Sequence, residues 1–127
     1  MSLFLAYLIT SMVVGHSVPV GCMEIKGGRQ GYYDKKVIWL SPLMCKYLGY
    51  PRGSTGQRFA VFVLVHESEH AKGIVNEHKA ECAALVDIVK VIKGTRGMLP
   101  KNLGEWFLNF HNSQKKPYGG PCLKGSR

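Results

Sequence analysis

Seven consecutive apolar residues, Phe59 to Val65, run directly into His66-Glu67-Ser68-Glu69-His70. The apolar run alone could form a buried strand or a buried helix. Two features choose the helix. Ser54-Thr55-Gly56-Gln57 is a capping box of the S-x-x-Q kind, which satisfies the first free amides of a helix. The polar continuation through Glu67, Glu69 and Ala71 then carries the element on to about Lys72. Apolar on all sides upstream, such a helix has to be central and buried. A chain of 127 residues supports one core, so everything else must pack around this helix.

The spacing of the two histidines has a mechanical meaning. Residues i and i+4 of a helix share one face, so the imidazoles of His66 and His70 can reach one Zn²⁺ at about 2.0–2.1 Å. Glu67 lies beside them, where a carboxylate can take a proton from water. Reading the pair as solvated histidines on a polar helix fits poorly, because His66 follows directly on the apolar run. A catalytic zinc wants a third protein ligand and an open position. The candidates are Asn76, Glu77, His78 and Glu81. On one straight helix Glu77 would stand about 16 Å along the axis from His66, so the chain must turn, and Gly73 is where it can.

Asn76 can cap a second helix that runs to Lys93 and stops at Gly94. At roughly 100° per residue, Glu77 and Glu81 fall on the same stripe as Ala84, Leu85, Ile88, Val91 and Ile92, with Lys79, Lys90 and Lys93 opposite. Carboxylates aimed at a core need something cationic to receive them. A metal and its histidines would do so. The alternative is that both acids simply sit in a solvated first turn, favoured by the helix dipole.

His66-Glu67-Ser68-Glu69-His70 resembles the HExxH motif of the zincin metallopeptidases. Asn76-Glu77-His78-Lys79-Ala80-Glu81 resembles the NExxAD-type second motif of the gluzincin branch, with Glu for the final Asp. The resemblance covers about Val65 to Leu85. It implies a Zn²⁺ held by His66, His70 and Glu77, with Glu67 as general base and Glu81 orienting one of the histidines. The spacing from His70 to Glu77 is much shorter than in typical gluzincins. His66 to Asn76 also matches the metzincin spacing, but neutral Asn76 is a poor ligand, so Glu77 is preferred.

The remaining chain reads as a small α+β domain, zincin-like in plan. Met23 to Lys26, the Gly27-Gly28 pair and Tyr32 to Leu40 suggest a β-hairpin or two nearby strands packed on the HExxH helix. Ser41-Pro42 starts a short helix ended by Gly49. Another runs from Pro100 to about His111. Residues 1–22 carry no charged side chain and read either as an export leader or as a buried first segment, leaving 23–127 as one domain. Four spaced cysteines, Cys22, Cys45, Cys82 and Cys122, suit disulfides in an exported protein. They are also ordinary as buried residues of a cytosolic one. Cys82 is expected to pair with Cys45 or to pack in the core.

These expectations converge on a minimal zinc-dependent peptidase acting on a peptide or protein. Tyr118 and His111 are the side chains available to hold an oxyanion, although each also reads as a surface residue. A second reading is a metal-binding domain without a working cleft. Closing the site would take a fourth ligand, and the nearest candidates, His78 and Cys82, face away from it. A third reading starts from charge: 17 Lys and Arg against 8 acids give +9. Lys90, Lys93, Arg96, Lys101, Lys115, Lys116, Lys124 and Arg127 could meet a nucleic acid or an anionic surface. No nucleic-acid motif accompanies them, and a solvated basic surface is the preferred reading.

Overall fold

The structure, a computed structural model, describes residues 3–114 and Cys122. Its elements run α1 (Leu3–Val14), β1 (Val20–Cys22), β2 (Gly31–Tyr33), β3 (Ile38–Leu40), α2 (Pro42–Leu48), α3 (Thr55–Ala71), α4 (Glu77–Gly94) and α5 (Leu103–Ser113). The fold is therefore α+β, as the sequence suggests. The three strands form one mixed sheet in the order β1-β3-β2. β1 runs parallel to β3 with Val20 opposite Ile38, and β2 runs antiparallel to it with Gly31 opposite Leu40.

α3 is the central helix. α1, α2 and α4 pack on it, as do α5 and the β2 and β3 strands. Ala60, Val61, Leu64 and Val65 are buried, as the all-round apolar run requires. The Ser54 hydroxyl accepts from the Gln57 amide at 3.3 Å. The Gln57 side chain reaches back one residue further than a capping box does, to the Gly53 amide at 3.0 Å. Phe62 meets Phe107 and Phe110 edge-on, with centroids 5.0 Å apart in each case, and this locks α5 over the N-terminal half of α3.

Three expectations need correction. Gly27-Gly28 does not turn a hairpin. Both residues sit in a short 3-10 turn at Lys26–Gly28, and Met23 to Lys26 is not a strand. The strand that completes the sheet lies upstream, at Val20–Cys22. The β2–β3 turn is built by Asp34, whose carboxylate accepts from the Lys36 and Val37 amides at 2.8 and 2.7 Å and from the Trp39 indole at 2.9 Å. These donors, Val37 foremost, hold its carboxyl below the ordinary range. Gly94 does not stop α4. It is the last helical residue, and the Met12 thioether lies over it, 2.4 Å from where a Cβ would stand. Cys82 is bonded to Cys122, and Cys22 to Cys45. Register explains the second pairing: Cys22 lies opposite Leu40, and α2 starts two residues after Leu40, carrying Cys45 on its first turn.

Residues 3–22 form α1 and β1, with Leu5, Ile9, Val13, Val18 and Val20 in the core. No helix among the described residues is long and apolar enough to cross a membrane. α5 begins at Leu103, three residues later than expected.

Candidate metal centre

The C-terminal turn of α3 and the N-terminal turn of α4 meet at one point. The Asn76 side chain caps α4 by accepting from the Lys79 amide at 2.9 Å. Gly73 adopts φ 115° immediately after the α3 cap, which reverses the chain where the sequence requires it. The reversal brings Glu77 onto the two histidines. One carboxylate oxygen, Glu77 Oε1, stands 2.8 Å from His66 Nε2 and 2.8 Å from His70 Nε2. His66, Glu67 and His70 present ligand atoms within 4.8 Å of one another and could hold a metal ion.

The hydrogen-bonding around the histidines fits a metal. His70 Nδ1 lies 2.7 Å from the Ile74 carbonyl, which can only accept, so Nδ1 carries the proton. In neutral His70 the Nε2 atom then presents a lone pair toward Glu77, as a ligand does. Two imidazole nitrogens and a carboxylate oxygen converging this closely need protons or a cation among them.

Glu81 is 1% exposed and supports the group from behind. Its Oε1 is 3.6 Å from His66 Nδ1, and its Oε2 accepts from His111 Nδ1. The electrostatics follow this arrangement. Burial works against a charged His66, but Glu81 and Glu77 outweigh it and raise its pKa. Burial likewise opposes ionisation of Glu77, and the two histidines overcome it, so Glu77 is held below the ordinary carboxylate range. Glu81 is lowered in the same way, against burial, by His66 and His111. Glu67 goes the other way: burial pushes its carboxyl above the ordinary range.

Glu67 lies beneath β2, the last strand of the sheet. A Cβ on Gly31 would meet Glu67 Cγ at 2.9 Å and a Val63 methyl at 2.7 Å. Two clefts open on either side of this crossing. One, of about 370 Å³, is lined by Gln30, Phe59, Val63, His66 and Glu67. The other, of about 330 Å³, is lined by Tyr32, Tyr33, Glu67, His70 and Val75. Arg29 borders both clefts, with its guanidinium 4.0 Å from Glu77 Oε2 and 5.4 Å from the centre of the Tyr32 ring.

His66, Glu67, His70, Glu77 and Glu81 are thus brought together as the motif spacing suggests. Asn76 acts as a helix cap. His78 and Cys82 touch each other at 3.7 Å on another side of α4. His111 is not placed to hold an oxyanion: it is fully buried and turned to the back of the site. It shares a stripe of α5 with Leu103 and Phe107, which draws it inward. Tyr118 lies outside the described residues, as do Lys115, Lys116, Lys124 and Arg127. Sequence reasoning overlooked Arg29 and Gly31, since neither belongs to a motif and only the sheet carries them to α3. Comparison with protein-family models, curated proteins and solved structures finds no match for this chain.

Proposed function

We propose that the protein is a small zinc-dependent peptidase. The observation that carries this reading is the convergence of Glu77 Oε1 on both histidine Nε2 atoms at 2.8 Å, with Glu67 beside them in an open cleft. Two imidazoles and one carboxylate are a catalytic zinc set that leaves one position open. His66, His70 and Glu77 would hold the metal. When bound, zinc supplies Lewis acidity toward water and toward the scissile carbonyl.

The other groups have separate tasks. Glu67, made more basic by burial, takes a proton from water and delivers it to the leaving amine. β2 ends the sheet, so its outer edge can pair with an extended peptide and lay it across the cleft. Gly31 lets that strand pass close over Glu67. The 4.0 Å separation of Arg29 from Glu77 puts a cation at the cleft wall, facing any negative charge the substrate brings.

The test is Glu67→Gln. The variant should bind zinc as wild type does and lose peptide hydrolysis by roughly 10²–10⁴-fold. Unchanged hydrolysis in that variant would remove Glu67 from the chemistry and sink this reading.

A further inference from the structure

His111 occupies a position that a hydrophobic residue would ordinarily fill. It follows Leu103 and Phe107 at four-residue spacing on the buried face of α5, and all three are fully buried. A polar ring in such a stripe is costly unless it is bonded. His111 has one hydrogen bond and one close contact. Its Nδ1 donates to Glu81 Oε2, and its Nε2 lies 3.6 Å from the Cys122 sulfur. That sulfur is disulfide-bonded to Cys82 on α4. The other oxygen of Glu81 faces His66 Nδ1 at 3.6 Å.

Building on the metal-centre reading above, we propose that His111 is a positioning residue for that centre. It fixes Glu81, and Glu81 fixes the ring of His66. A carboxylate with two free rotamers could not orient an imidazole. Anchoring one oxygen from α5 leaves the other aimed at His66. The Cys82–Cys122 disulfide lies against the far side of the His111 ring and is anchored on α4, the helix that carries Glu77 and Glu81. Partners of this kind fix ligand orientation, and their loss weakens metal binding by about 10–100-fold.

Two substitutions separate this role from packing. His111→Asn keeps a donor close to the Nδ1 position but fills the apolar stripe poorly. His111→Leu fills the stripe and removes the donor. Zn²⁺ affinity is measured by chelator competition on the full-length protein, with the visible spectrum of the Co²⁺-substituted form as a report on ligand geometry. Positioning predicts near wild-type affinity and Co²⁺ spectrum for His111→Asn, and a 10–100-fold loss with an altered spectrum for His111→Leu. The reverse order, or no change in either, overturns the proposal. If His111→Leu does not fold, the double variant Glu81→Gln/His111→Leu, which leaves no unpaired buried charge, takes its place. It should bind no more weakly than Glu81→Gln alone, and an additive further loss contradicts the proposal. Wild type failing to bind either metal overturns the metal-centre reading, and this one with it.

Discussion

Glu69 is the least comfortable side chain of α3. It is fully buried, and as a carboxylate it finds no donor for either oxygen among the described residues. Lys72 comes no closer than 4.0 Å. Burial, reinforced by neighbouring Asp87, pushes the Glu69 carboxyl up to about 9. Asp87 is correspondingly lowered, against burial, by Glu69 and Lys72. The folded protein therefore holds a proton on Glu69 that the unfolded chain releases near the ordinary 4.5. By linkage, stability from this group is fully present below that value and declines as pH rises toward about 9. Glu69→Gln keeps the shape and removes the proton. Urea unfolding at fixed metal saturation should show the variant gaining on wild type as pH rises across that window. A difference independent of pH would contradict the assignment. Residues of this kind are only half legible in a sequence. Glu81 shows itself as an acid on an apolar stripe. His111, read as a surface residue, holds the same kind of position on α5, and the stripe of Leu103 and Phe107 was the available signal.

At the scale of elements, the site depends on how closely β2 crosses α3. Gly31 fixes that distance, since a Cβ there would collide with Val63 and Glu67. Gly31→Ala should cost about 1–3 kcal/mol and depress peptide hydrolysis by displacing Glu67, while zinc stays bound. Gly104 in α5 makes the opposite case. Its nearest neighbour, an Ile88 methyl at 3.5 Å, is in ordinary contact. Gly104→Ala should stabilise by up to about 1 kcal/mol by restricting the unfolded chain. Thermal unfolding of the two variants side by side checks both signs. Equal shifts would mean that the close approach at Gly31 carries no strain. The helices were legible because their signals are local: Ser41, Ser54 and Asn76 each cap the helix they precede. The sheet was not. β1 finds its parallel partner across seventeen intervening positions from Val20 to Ile38 and beyond the turn Asp34 builds. No local pattern in Met23 to Lys26 shows that those residues are left out.

At the scale of the molecule, one buried helix organises both the core and the candidate site. Its apolar half, Phe59 to Val65, is surrounded by α1, α2, α5 and the sheet. Its last turns carry His66, Glu67 and His70 to the place where α4 returns. A reversal of a few residues at Gly73 connects α3 to α4, and Glu77 arrives on the first turn of α4. The meeting of these helices was legible from the motif spacing and the straight-helix distance that it forbids. The walls of the cleft were not, because Arg29 and Tyr32 reach it only through the sheet topology. The candidate site requires His66, His70 and Glu77 to act together on one metal. The most direct test is the metal content of purified wild type beside His70→Ala and Glu77→Ala, by elemental analysis after reconstitution. About one zinc per chain, lost in both variants, is the expected result. A wild type that retains no metal, or a Glu77→Ala variant that still holds a full equivalent, would contradict it.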